Sequence, residues 1–278
     1  MKRFLYASLV LGSKFAFGGT ILYTDDFNVP DNASFDASYD PARDSGLLDG
    51  EVVLRSWGAQ QQILGNAAYH PGITGGLRFE AAAGPFGSTN RYDWAGGSAA
   101  ALIAADGGLR VEFDWIPATY STNDPDNEPT DWISLQVGGT NADPSTGNLT
   151  WADYEYGILL RNNGGSEIWQ NGGNMGAGGS FTETPAGLAR RVQIDFLPDS
   201  FAPGSSVRAV TSVNGMLVQD DTFTWDSASG EIYIDFGHNA LGASIDNLVV
   251  STVPEPGVLA LSGLGLLALG RRRVRSRS

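Results

Sequence analysis

The stretch LRVEFDWI, Leu109 to Ile116, sets Val111, Phe113 and Trp115 on one side of an extended chain and Glu112 and Asp114 on the other. A period of two belongs to a β-strand with one face in a core and the other in water. RVQIDF, Arg191 to Phe196, repeats the pattern with Val192, Ile194 and Phe196 inside and Gln193 and Asp195 outside. EIYIDF, Glu231 to Phe236, does so again with Ile232, Ile234 and Phe236 inside. Further strands are predicted at Val52 to Trp57, Gly76 to Glu80, Ser98 to Ala104, Trp132 to Val137, Tyr154 to Arg161, Ser205 to Val213 and Ala243 to Ser251. Asn214-Gly215, between VRAVTSV and MLVQD, is the strongest hairpin signal in the chain. Asn162 to Ser180 is rich in glycine around Ile168-Trp169 and reads as a short hairpin or a mobile loop. No helix is expected outside the two chain ends, and no internal repeat is found.

About ten strands separated by Gly, Asn, Asp and Pro loops predict an all-β fold, a two-sheet antiparallel β-sandwich. The order of features resembles the concanavalin A-like, laminin-G-like jelly roll. YTDDFN (Tyr23 to Asn28) opens the body, VNG (Val213 to Gly215) lies in a late hairpin, and ASIDNLVV (Ala243 to Val250) closes it. Such a resemblance carries fold and not function.

Composition removes several chemistries. There is no cysteine among the 278 residues, hence no thiolate nucleophile, disulfide or cysteine zinc cage. Between Gly19 and Val253 there are nine arginines, no lysine and 30 acidic residues, a net charge of −21. That surface repels phosphate backbones and excludes a nucleic-acid partner, and a Walker-type loop has no lysine to use. With His70 and His238 the only histidines and no G-x-S-x-G elbow, a serine triad has little to draw on.

The two ends read as addresses. Residues 1–18 have a basic start at Lys2 and Arg3, an apolar run from Phe4 to Gly12 and small residues toward Gly18, the layout of a secretory signal peptide. Lys14 interrupts that run. Residues 24–252 form the sandwich, and residues 253–278 the tail. In the tail, Gly257 to Gly270 would make a helix of about 21 Å, short of a hydrocarbon core of roughly 30 Å. Arg271, Arg272, Arg273, Arg275 and Arg277 follow it and would hold it at the cytoplasmic face as a transient stop. Pro254-Glu255-Pro256, the apolar segment and Arg271-Arg272-Arg273 together resemble the PEP-CTERM sorting signal of Gram-negative bacteria. The resemblance implies recognition by an exosortase, a membrane transpeptidase, with brief tethering at the inner membrane. Delivery to the cell surface or extracellular matrix would follow.

Glu112-x-Asp114 resembles the first two positions of the E-x-D-x-(x)-E strand of laminarinase-type glycosidases. Trp115-Ile116-Pro117 follows, so the third carboxylate is missing and a solvated strand face is left. Asp124, Asp126, Glu128 and Asp131 crowd one loop, and Asp25, Asp26 and Asp246 form a second acidic set. Hard oxygen ligands suit Ca²⁺, although Asp and Asn also favour ordinary turns. For a glycan, Trp94 and Trp151 lie in loop-like contexts, with Tyr92, Asp93 and Tyr154 as polar helpers, while Trp115 and Trp132 read as core. The expectation is an exported, non-catalytic protein associated with extracellular polysaccharide. Two alternatives stand beside it, a glycan hydrolase or lyase on the same fold and a structural coat protein that binds no sugar.

Overall fold

The computed structural model describes residues 19–27, 33–34, 44–57, 62–63, 77–78, 89–94, 97–117, 132–139, 154–183, 188–227, 231–238 and 244–253. The expected signal peptide and all of the sorting tail beyond Val253 lie outside these residues. Among the described residues no helix is long and apolar enough to cross a membrane.

In chain order the strands begin with β1 (Ile21–Asp25), β2 (Ala33–Ser34), β3 (Asp44–Ser45), β4 (Val53–Trp57), β5 (Gln62–Ile63), β6 (Leu77–Arg78) and β7 (Thr89–Trp94). Helix α1 (Ser98–Asp106) follows, then β8 (Leu109–Ile116), β9 (Trp132–Gly138), β10 (Tyr156–Arg161), β11 (Gly165–Gln170) and β12 (Gly173–Ser180). The last are β13 (Arg190–Pro198), β14 (Ser205–Val213), β15 (Met216–Trp225), β16 (Ile232–His238) and β17 (Ser244–Thr252). They form two antiparallel sheets. One runs β15-β14-β13-β8-β17-β6-β5-β2, with β1 also on β17 and β3 on β1; the other runs β12-β11-β10-β9-β16-β7-β4.

The stretches with period two take central places. In β8, β13 and β16, Val111, Phe113, Val192, Ile194, Ile234 and Phe236 are buried between the sheets. Aromatic rings tie the layers together. Phe113 of one sheet meets Phe236 of the other edge-on at 4.9 Å, and Tyr156 stacks on Phe223 at 5.0 Å. The β14–β15 hairpin turns at Asn214 and Gly215, whose φ values of 51° and 76° match the twist of the flanking strands. Asn162 to Ser180 carries regular structure, the hairpin β11–β12.

One element differs in kind from its expectation. Ser98 to Ala104 is not a strand but most of α1. SAAALIAAD has little amphipathic pattern to detect, yet alanine is the best helix former, and here local propensity decides. Gly107 closes the helix at φ +95°, its N–H donating to the Ile103 carbonyl.

The end of α1 fastens the two ends of the sandwich. Asp106 Oδ2 accepts hydrogen bonds from Thr252 Oγ1 (2.8 Å) and Thr20 Oγ1 (3.2 Å). The Thr20 N–H donates to Thr252 Oγ1 at 2.8 Å, and the Thr252 N–H donates to the Thr20 carbonyl at 2.9 Å. Hydrogen bonds to a carboxylate are each worth about 1–3 kcal/mol net, less where solvent reaches them. Asp106→Ala is therefore expected to cost about 1 kcal/mol and to speed amide exchange at Thr20 and Thr252 before the central strands. Uniform exchange in the variant would show that this corner does not open by itself.

Candidate functional site

The middle strands of the seven-stranded sheet have two buried faces, which alternation alone did not predict for them. Tyr92, Trp94, Ile234, Phe236, Leu135 and Ile158 face the other sheet. Their neighbours, of opposite parity, face away from it: Arg91 and Asp93 on β7, Tyr233 and Asp235 on β16, Ser134 and Gln136 on β9, Leu159 on β10 and Trp169 on β11. An outward face of an antiparallel sandwich is ordinarily wet. Here Arg91 is 1%, Asp93 2%, Gln136 0% and Asp235 0% exposed.

Strand register sets these groups in rows. Trp169, Gly157, Gln136, Asp235 and Arg91 are successive cross-strand partners, and Gly138, Tyr233 and Asp93 form the next row. Tyr233 reclines across Gly138; a Cβ there would stand 2.2 Å from its hydroxyl. The Arg91 guanidinium lies 3.8 Å over the Tyr233 ring and 3.4 Å from Asp93 Oδ2. Tyr154 meets Tyr233 edge-on at 5.6 Å and donates its hydroxyl proton to Asp235 Oδ2 at 2.6 Å. Gln136 Nε2 donates to Ser134 Oγ at 3.1 Å.

The electrostatics follow from burial. Asp235 is pushed up to about 7 by loss of water, with the Tyr154 hydrogen bond and the Arg91 charge pulling the other way. Burial, and then the nearby Asp235, hold the Tyr154 phenol well above its ordinary value. At the end of the same sheet Glu155 is pushed to about 7 by burial, although its Oε1 accepts the Ser227 N–H at 2.7 Å. Asp235 Oδ1 and Gln136 Oε1 have no hydrogen-bond partner among the described residues. The arrangement offers acceptors, donors and ring edges together, which is the chemistry of a polar-ligand site.

The outward face of the other sheet is different. Arg110 grips Asp195 through two bonds of 2.6 and 2.7 Å, and Arg208 grips Asp220 through bonds of 2.7 and 2.6 Å. Arg191 stands 3.6 Å from Glu112 and 3.4 Å from Asp114. The Glu112-x-Asp114 pair thus lies in an ion-paired, partly exposed strand face, as its missing third carboxylate suggests.

The residues singled out in the sequence separate by position. Tyr92 and Trp94 are not ring faces offered to a sugar. They stand at the end of β7 and pack inward, their rings stacked at 6.5 Å, because strand parity turns them toward the core. Asp93 and Tyr154, by contrast, belong to the outward polar face. Trp115 is buried in the core as expected, and Trp132 is half-buried. Trp151 and the loop acids Asp124, Asp126, Glu128 and Asp131 lie outside the described residues. The first and last strands are neighbours, as expected, and with β8 on the other side of β17 they bring Asp25, Asp26 and Asp114 close enough to act on Asp246. Burial and then these like charges push Asp246 to about 6. Asp25 Oδ1 accepts the Phe27 N–H at 3.0 Å. Among the described residues no three such side chains converge to hold a metal. Sequence reading missed Arg91, Gln136, Tyr233 and Asp235. The available signal was the pairing of Arg91-x-Asp93 with Tyr233-x-Asp235, polar positions recurring at one parity in two strands.

Residues 252–275 match the PEP-CTERM protein-sorting motif, which implies export and exosortase processing. No curated protein matches the chain. Solved structures of similar fold include peanut lectin, at 10% identity and a TM-score of 0.45, covering 72% of this chain and 91% of that one. The carbohydrate recognition domain of Emp46p aligns at 9% identity and a TM-score of 0.43, covering 80% and 95%. A Bacillus subtilis protein of unknown function with a galectin-like fold aligns at 13% identity and a TM-score of 0.44, covering 84% and 97%.

Proposed function

We propose that this is a non-catalytic cell-surface or matrix protein of a Gram-negative bacterium that holds polysaccharide on the outward face of its seven-stranded sheet. The observation that carries the reading is the character of that face: it is polar and aromatic, yet buried. An arginine, two aspartates and a glutamine are sunk into this one sheet face, where buried polar groups need hydrogen-bond partners, and Asp235 Oδ1 and Gln136 Oε1 have none among the described residues. Sugars match such a surface because their hydroxyls both donate and accept, while their C–H faces lie against rings. The sorting motif at residues 252–275 supports the location, since an exported protein meets polysaccharide outside the cell. Its partners there would be the exosortase-type transpeptidase and secretion machinery, then the polysaccharide itself.

The test is a glycan array and insoluble-polysaccharide pull-down with the full chain, run with calcium and with chelator. Retention is expected, with Trp169→Ala weakening it about tenfold, an aromatic contact of roughly 1.4 kcal/mol. Glu112→Ala, on the opposite sheet, is expected to leave it unchanged. No retention of any glycan by a folded sample would favour the coat-protein reading instead.

One observation favours a hydrolase. Asp93 and Asp235 share the face in neighbouring rows, and an acid near 7 on the same face as a second carboxylate is the raw material of glycoside cleavage. Release of reducing ends from a retained polysaccharide would convert the binding face into an active site.

A further inference from the structure

The neighbouring acceptors Asp235 Oδ1 and Gln136 Oε1 limit what could lie on this face, an inference that rests on the glycan reading above. The two residues are direct cross-strand partners, so their Cβ atoms stand about 4.5–5.5 Å apart on the same side of the sheet. Both side chains are fully buried. Their other polar atoms are engaged: Asp235 Oδ2 accepts from Tyr154 and Gln136 Nε2 donates to Ser134. What is left is two lone-pair groups side by side with no side-chain donor among the described residues, although the Phe236 backbone N–H also acts on the carboxylate. With Asp235 ionised, each buried acceptor without a donor costs about 1–3 kcal/mol, so the pair favours a ligand that brings two donors.

We infer that Asp235 and Gln136 form a subsite for two adjacent hydroxyls of a neutral sugar residue. Each hydroxyl donates one hydrogen bond, one to the carboxylate and one to the amide oxygen, and keeps lone pairs for donors elsewhere on the ligand. A uronate or sulfated sugar fits poorly. It would set further acceptors against these two, within a body of net charge −21. Glycine at 157 removes a side chain from the strand position beside Gln136, while the space over Gly138 is taken by the Tyr233 ring.

Protonation competes with this ligand. The groups facing Asp235 are Arg91 on β7 and Tyr154 ahead of β10, with Asp93 and Tyr233 in the neighbouring row. When Asp235 carries a proton its acid hydroxyl can satisfy Gln136 Oε1 directly, and the subsite closes on itself. Affinity is accordingly expected to rise between pH 6 and pH 8.

Two substitutions separate the possibilities. Asp235→Asn keeps the shape but puts an N–H beside Gln136 Oε1, so it fills the pair internally. Gln136→Met removes one acceptor at nearly constant volume. The full-length chain and both variants are titrated with neutral hexopentaoses (cello-, laminari-, manno- and galacto-series), with oligogalacturonate and with glucosamine oligomers. The expected result is binding of a neutral series, weakened at least tenfold in each variant, while Asp235→Asn melts no lower than the parent. Neutral-sugar binding that survives both substitutions would overturn the subsite and leave the glycan-binding face standing, with a trapped water as the donor. Preference for the uronate or the glucosamine oligomers would overturn the neutral-sugar assignment. No binding of any probe would overturn both readings.

Discussion

Phe236→Ala is expected to cost about 3–5 kcal/mol, enough to leave much of the chain unfolded at 37 °C. Phe236 has no exposed surface and stands where the two layers touch, edge-on to Phe113 at 4.9 Å and to Tyr92 at 6.1 Å. Removing the ring forfeits its transfer free energy and the edge-to-face contacts. It also leaves a cavity that two opposed sheets cannot readily collapse to fill, because hydrogen bonding within each sheet keeps it stiff and the remaining side chains prop the layers apart. For a domain of this size a loss of 3–5 kcal/mol lowers the melting temperature by roughly 10–15 °C. Urea unfolding should show the midpoint falling with an unchanged slope, since the same surface is exposed on unfolding. An exposed control on the other sheet, Thr224→Ala, should shift stability by less than about 0.5 kcal/mol. A Phe236→Ala protein as stable as the control would mean that the sheets do not meet through these rings.

How much of this was legible in the sequence depended on which competing force set each element. Where one face was apolar and the other charged, as in β8 and β13, periodicity fixed strand, face and core partner together. The hairpin at Asn214-Gly215 was legible because positive φ at both positions has a chemical signature. Helix α1 was hidden because a run of alanines has no period at all, and propensity is a weaker clue than pattern. The polar face was hidden for a different reason. EIYIDF states that Tyr233 and Asp235 share a side, but parity cannot say whether that side meets water. Only the three-dimensional burial of Asp235 and Gln136 turned an ordinary strand face into a candidate site. Trp94 shows the same limit in reverse: its neighbours read as a loop, yet strand parity sends its ring into the core.

The stability of the folded chain is expected to fall as pH rises from about 4 to about 8, with the buried Asp235 supplying the largest share. Its carboxyl sits at about 7 in the fold, against an ordinary value of 3.8. Across that interval the folded state keeps a proton that the unfolded chain has released. Linkage then requires that stability be full below the unfolded value and be lost as pH climbs through the folded one. Each unit of separation is worth about 1.4 kcal/mol, so this group alone accounts for about 2–4 kcal/mol once relaxation around it is allowed for. Glu155, pushed to about 7, and Asp246, pushed to about 6, act in the same direction. Repulsion among the 31 acidic residues adds to it as the last carboxyls ionise. Denaturant unfolding at pH 5, 6, 7 and 8 measures the slope, and Asp235→Asn should flatten it, because an amide has no proton to lose. A parent protein whose stability is level from pH 5 to pH 8 would place Asp235 in contact with water or with a compensating charge. A variant that keeps the parent's slope would pass the role to Glu155 and Asp246. Saturation with a bound neutral sugar should flatten the slope as the amide does, since hydroxyl donors favour the ionised carboxylate and draw its folded value back down.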